Sequence, residues 1–310
     1  MSKISILISI LVLFSCKKDN KNISYTRNDS GIVLEIPLSG SLQNPAFSPD
    51  DNSIVFTRFV NGYNKEPSDI YKYNLNTKNL TLLVSDGSAN VNLPGSSWRN
   101  GKIVFSSSRD SLDEIFIIPD SGHSGDETQI TSRQNKVAYE PSFSPNGEWI
   151  VFESHHLDIE NDGVIIKYKS DGTSAYIELT NQGEDCRQPN WSPNGNKILY
   201  QKQANNQWNI WTMNTDGTNK IQVTHNLGNC TDASFTADGQ NIVFSSDYQA
   251  NIANIYRIST VGNHLEKLTD FDGYDGAVSI SSDGTKLIFE SISLEPDDSR
   301  GTKIVLLNLF

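Results

Sequence analysis

One unit recurs six times along the chain, and its spacing limits the fold more than any other feature. Aligned on the large apolar residue of its first β-type segment, the copies place Phe47, Trp98, Phe143, Trp191, Phe235 and Ile280 at spacings of 51, 45, 48, 44 and 45 residues. The copy from Gln188 to Thr224 shows the unit whole: Trp191-Ser192-Pro193-Asn194-Gly195, then Ile198-Leu199-Tyr200, then Asn209-Ile210-Trp211, then Val223-Thr224. These are four short segments of β-branched and aromatic residues with turn chemistry between them. A four-stranded unit of this size cannot cover both of its faces alone, so it must stack on its neighbours.

The turn between the first two segments has a local cause. In Ser144-Pro145-Asn146-Gly147, Ser192-Pro193-Asn194-Gly195, Thr236-Ala237-Asp238-Gly239 and Ser281-Ser282-Asp283-Gly284 the last residue accepts a left-handed backbone without a steric penalty. The first copy has Asp51 at that place, and the second uses Asn100-Gly101. The second segments (Ile54-Val55-Phe56 through Leu287-Ile288-Phe289) lack strict alternation, as expected of sheets packed on both faces. Copy six has three segments, and an orphan β segment, Gly31 to Pro37, precedes copy one. The expected fold is all-β: a six-bladed propeller of four-stranded antiparallel blades over residues 31–310, its last blade closed by the N-terminal strand.

The first fifteen residues differ in kind. Lys3 and the apolar run Ile4 to Phe14 are too short to span a membrane and have the layout of an export signal. Leu13-Phe14-Ser15-Cys16 resembles the lipobox of bacterial lipoproteins, which implies a signal peptide over 1–15, lipidation at Cys16 and a flexible tether over 16–30. The expected location is the cell envelope, lipid-anchored at the outer membrane on its periplasmic or surface face. Asp and Glu outnumber Lys and Arg by 37 to 25, a net charge of -12, which argues against nucleic acid as a partner.

The repeated Pro-x-Trp/Phe-Ser-Pro-Asp/Asn-Gly, Ile-x-Phe, Ile-Tyr, Asp-Gly and Leu-Thr elements resemble the propeller repeat of the TolB family over Gly31 to Phe310. TolB itself is a soluble periplasmic protein with an additional N-terminal domain that takes part in the Tol and Pal envelope system. The stretch between Cys16 and Gly31 has no room for that domain, so the resemblance implies an envelope binding role rather than a direct part in the Tol machinery. Similar repeats occur in the propeller domains of peptidases and of oligogalacturonate lyases. No Gly-x-Ser-x-Gly elbow is present, which turns the expectation away from the peptidases.

Loops joining second and third segments vary in length, whereas the Ser-Pro-Asp-Gly turns on the opposite rim are short, so the loop-rich rim is the candidate binding face. Residues entering the first segments should surround the axial mouth: Asn44, Tyr139 with Glu140, Arg187 with Gln188, and Asp232. They suit a polar ligand or a peptide tip, and equally a water-filled channel. The expected partner is an envelope protein or glycan, with no cofactor and no catalytic set. The rival expectation is a metal-assisted polysaccharide lyase or hydrolase using His155, His156 and His225, which share that rim. Asp158 to Gly163 starts like a calcium loop, but its twelfth position is Lys169 rather than the required Glu. Cys186 and Cys230 each stand five residues before their anchors, which leaves a disulfide between adjacent blades and two separate thiols both open.

Overall fold

A computed structural model describes residues 27–85, 97–109, 112–159, 161–292 and 301–309. Six antiparallel four-stranded sheets follow the six copies, and the first strands of neighbouring blades pack against one another around an axis. Those inner strands are Ser41–Phe47, Trp98–Arg99, Lys136–Phe143, Cys186–Trp191, Cys230–Phe235 and Tyr274–Ile280. Apolar clusters fill the gaps between blades, such as Val151, Ile165 and Leu179 of blade three against Trp191, Ile198 and Met213 of blade four. Burial is two-sided, which is why the second strands read as unbroken apolar runs.

Local chemistry accounts for the repeat letters. The Ser or Thr opening each turn accepts the N–H five residues on and donates to the Asp or Asn two residues on, as in Ser192 with Lys197 (2.9 Å) and Asn194 (2.8 Å). The closing Gly195 sits at φ +75°. Asp51, at φ 57° in the same place in blade one, has a second use: its carboxylate accepts the Ser282 N–H and hydroxyl at 2.7 and 2.6 Å, tying blade one to blade six. The recurrent Leu-Thr ending is also explained. Thr131, Thr180, Thr224 and Thr269 each turn a hydroxyl onto the N–H of the third strand's Ile115, Ile165, Ile210 and Ile255, giving a buried donor a partner.

The ring closes as the sequence predicts: Ile32–Val33 pairs with the last strand, Ile32 opposite Leu306 and Val33 opposite Val305. The paired strand is only two residues long, and the Leu34 N–H adds one more bond to Ile304. Arg27 to Ser30, expected to belong to the 16–30 tether, pack on blade six. Arg27 places its guanidinium on Asp275 at 2.6 Å and Asp29 at 2.9 Å, between the Phe271 and Phe289 rings, and the Asn28 N–H bonds Asp270. Both Arg27 and Asp275 are desolvated, so their pairing is what permits either to be there. Cys16, the expected lipidation site, and residues 17–26 of the expected tether lie outside the described residues.

The disulfide alternative is corrected: Cys186 and Cys230 are free and buried. Cys186 packs between blades three and four, and Cys230 packs with residues of blade four against blade five, so the blade-four sheet stands between them. Sheets stack about 10 Å apart, well beyond the Cα separation a disulfide spans. Burial pushes their thiols up, to about 12 for Cys186 and about 11 for Cys230, which makes them inert.

Candidate functional site at the axial mouth

Five of the six inner strands, all but Trp98–Arg99, break register about three residues before the anchor. Strand pairing is interrupted between Gln43 and Ala46, Tyr139 and Ser142, Arg187 and Asn190, Thr231 and Ser234, and Gly276 and Ser279. In those bulges Asn44, Glu140, Gln188, Asp232 and Ala277 adopt φ between 48° and 53°. A left-handed residue in a bulge re-aims both its side chain and its N–H. The same device, repeated around the ring, points polar groups at the axis.

The groups so placed form one hydrogen-bonded net. The Gln188 amide bridges two carboxylates, Glu140 at 3.1 Å and Asp232 at 2.9 Å, while its oxygen accepts the Asp232 N–H at 3.0 Å. The Tyr274 hydroxyl reaches Asp232 at 3.3 Å, and Glu290 accepts the Asn44 N–H at 3.0 Å. Tyr63, in the second-to-third loop of blade one, brings its hydroxyl to Glu290 at 3.4 Å. Burial, then the Asp232 charge, pushes the Glu290 carboxyl up to about 8.

Glycine is required beside this net. A Cβ on Gly276 would stand 2.0 Å from the Tyr274 hydroxyl and 2.3 Å from its ring carbon. Gly276→Ala is therefore expected to push Tyr274 off Asp232 and cost about 1–3 kcal/mol, the usual range for overpacking. Urea unfolding measures this; an unchanged midpoint would show that Tyr274 has room to move.

Toward blade two the mouth continues through Tyr139 and Asp113. Tyr139 turns its hydroxyl to Asp113, and burial, then the Asp113 charge, raises it far above the usual phenol. Burial, with the Glu66 and Glu114 charges, lifts the Asp113 carboxyl to about 6 although Tyr139 donates to it. Asp113 is 91% buried, and its Oδ1 has no hydrogen-bond partner among the described residues. Glu66, on the same blade-one loop as Tyr63, supplies further negative charge here.

Behind the inner strands of blades three and four lies a chain of ionic contacts. His155 Nε2 meets Glu153 at 2.9 Å, His156 Nδ1 meets Asp162 at 2.5 Å, and the Gln188 N–H donates to Glu153 at 2.7 Å. Burial alone would raise Glu153, but the His155 bond and charge, joined by Arg187, hold it low.

The expected binding residues thus divide. Glu140, Gln188 and Asp232 meet at the axis, Tyr139 faces Asp113, and Arg187 turns away to Asp185 at 2.9 Å beneath the Trp208 ring. His155 and His156 share Asp162, whereas His225 lines a separate cleft of ≈ 250 Å³ with Asn209 and Gln222 on blade four. The three histidines are not brought together, and among the described residues no group of three His, Cys, Asp or Glu is placed to hold a metal. Residues that sequence reasoning missed are Tyr63, Asp113, Glu153, Tyr274 and Glu290. For two of them a signal existed: the residue after the second-strand aromatic is Thr57, Ser106, Gln201 or Ser245 in four copies but Glu153 and Glu290 in the others.

The fold and its repeat can now be compared with known proteins. A family model described as the TolB beta propeller domain matches residues 28–216 and 159–296. The chain belongs to that family. A putative TolB from Agrobacterium tumefaciens superposes with a TM-score of 0.65 at 17% identity, covering 87% of this chain and 91% of that one. An oligogalacturonate lyase solved with manganese gives 0.58 at 15% identity, covering 87% and 75%. In sequence, the uncharacterized peptidase YuxL of Bacillus subtilis (strain 168) is 30% identical over 107 residues, which is 33% of this chain but only 15% of that protein. The structural likenesses establish the fold, which serves binding proteins and enzymes alike.

Proposed function

We propose that this TolB-like propeller is a binding protein of the cell envelope, anchored through lipid on Cys16, that takes a protein or glycan partner at its loop-rich rim over the axial mouth. The observation that carries this reading is the net at the axis, where Gln188 joins Glu140 to Asp232 and the bulge amides of Asn44, Gln188 and Asp232 are each aimed at a neighbouring side chain. Such a surface is preorganised for recognition. The Cys186 and Cys230 thiols are buried in the blades. The test is crosslinking in intact envelopes with the full chain, followed by purification. A partner recovered with wild-type protein is expected to be lost with Tyr63→Arg, which crowds the mouth, and anchoring should be lost with Cys16→Ala. Recovery unaffected by Tyr63→Arg would move the binding face elsewhere.

The rival reading, a metal-assisted polysaccharide lyase, is supported by the fold likeness to the manganese-bound lyase. Stoichiometric manganese in the purified protein together with cleavage of polygalacturonate would establish it.

A further inference from the structure

Four Asn-Gly pairs occur in the chain, at 61–62, 100–101, 146–147 and 194–195. The pair is chemically distinct because glycine has no Cβ to shield its backbone nitrogen, which can close a cyclic imide on the preceding asparagine amide. All four asparagines are exposed, so access to water does not separate them. Their hydrogen bonds do. In two pairs the turn has already engaged both reacting groups. The Gly147 and Gly195 N–H groups donate to the Ser144 and Ser192 carbonyls at 2.8 and 2.9 Å. Asn146 Oδ1 accepts the Ser144 hydroxyl at 2.7 Å and the Glu148 N–H at 3.2 Å, and Asn194 Oδ1 accepts the Ser192 hydroxyl at 2.8 Å and the Asn196 N–H at 3.0 Å, which holds each side chain in place. Asn100 sits in the two-residue turn between the paired Arg99 and Lys102, and its Nδ2 donates to the Asn146 carbonyl of the next blade at 2.9 Å. Asn61 differs. It lies in the loop between Phe59 and Ser68, outside the strand pairing, and the Gly62 N–H has no acceptor among the described residues. The space around Gly62 is open as well, since a Cβ there would meet nothing nearer than the Lys65 side chain at 3.9 Å. Asn61 donates from Nδ2 to the Glu66 carbonyl at 2.6 Å, which leaves its own amide oxygen to the solvent.

We propose that Asn61 is a site of spontaneous deamidation, which the fold leaves open while it protects Asn100, Asn146 and Asn194. Water takes the proton of the Gly62 N–H, the nitrogen bonds the Asn61 Cγ, and the Cγ–Nδ2 bond breaks, releasing ammonia as the proton is returned. A second water then opens the cyclic imide at either carbonyl. One opening gives aspartate, and the other gives isoaspartate, with the backbone rerouted through the side chain. The sum is one water consumed and one ammonia released. The product no longer donates to the Glu66 carbonyl, and it sets a new carboxylate two residues from Tyr63, whose hydroxyl meets Glu290. Ageing of the chain therefore alters the loop that reaches the axial mouth, while the turns that build the blades keep their asparagines.

The test is peptide mapping by mass spectrometry of the purified full chain after incubation at pH 6 and at pH 8.5, with aspartate and isoaspartate peptides separated. Asn61 is expected to convert about tenfold faster than Asn146 and Asn194, the rate factor of one backbone hydrogen bond that need not be broken. Asn100 should also lag behind it. Conversion should be faster at pH 8.5, because the attacking nitrogen must lose its proton. Both products should appear, since direct hydrolysis of the amide gives aspartate alone. In urea, where the turns are lost, all four pairs should react at similar rates. Asn61→Gln should abolish the product at that position and leave the other three unchanged. An intact Asn61, conversion of Asn100, Asn146 or Asn194 at an equal or higher rate in the folded chain, aspartate without isoaspartate, or the folded ranking kept in urea overturns the inference.

Discussion

Arg27→Ala is expected to destabilise the propeller by about 3–5 kcal/mol, lowering its melting temperature by about 10 °C, because it strips the partner from a buried carboxylate. Asp275 is fully buried, and both its oxygens bond Arg27, at 2.9 and 2.6 Å. With the guanidinium gone, the buried Asp275 carboxylate is left with no cation to offset its desolvation. Arg27→Ala combined with Asp275→Asn removes the stranded charge and should recover part of the stability. Melting the single and double variants checks this. A double variant no better than the single would mean that Arg27 acts through packing on Phe271 and Phe289 instead.

Glu290→Gln should do the opposite. Its carboxyl, ordinarily near 4.5, is raised to about 8 by burial and by Asp232. Between those two values the folded chain holds a proton that the unfolded chain has released, so wild-type stability falls as pH rises through that window. Asp113 adds the same sign between 3.8 and about 6. Each pKa unit is worth about 1.4 kcal/mol, so Glu290 alone accounts for a decline on the order of a few kcal/mol. A neutral glutamine still accepts the Asn44 N–H and carries no charge to desolvate. Urea unfolding should then show a variant more stable than wild type at pH 8.5, about equal at pH 5, and flatter between. A variant with the wild-type pH profile would place the titration elsewhere.

The blades were legible because they are set by short-range chemistry: in all six an apolar anchor and a turn whose Gly or Asp accepts positive φ, and in four a threonine that completes the third strand. Closure by the N-terminal segment was legible too, as a strand missing at one end and surplus at the other. Glu140, Gln188 and Asp232 could be placed because counting back from the anchor is reliable within a repeat. Arg187 beside them could not, since its choice of Asp185 and Trp208 over the axis depends on neighbours that the repeat does not specify. Tyr63 was hidden for a related reason: loop length says nothing about where a loop tip lands. Arg27 looked like part of a polar tether, and its partner lies 248 residues away with no local mark. The cysteines occupy equivalent positions in sequence, but equivalence in a propeller means one blade apart, which keeps them unbonded.

The order of contacts at the N-terminus also has a mechanical meaning. Pairing of Ile32–Val33 with the last strand is thin, two residues of ladder, and by itself would peel readily. Upstream of it, Arg27 is clamped to Asp275 on blade six, and Asn28 and Asp29 to Asp270. Tension arriving from the N-terminal side meets this clamp first and passes into blade six, so the closing strand carries load only after the ion pair has ruptured. The ring is thereby protected at its two-residue closing ladder against a pull from the N-terminal side.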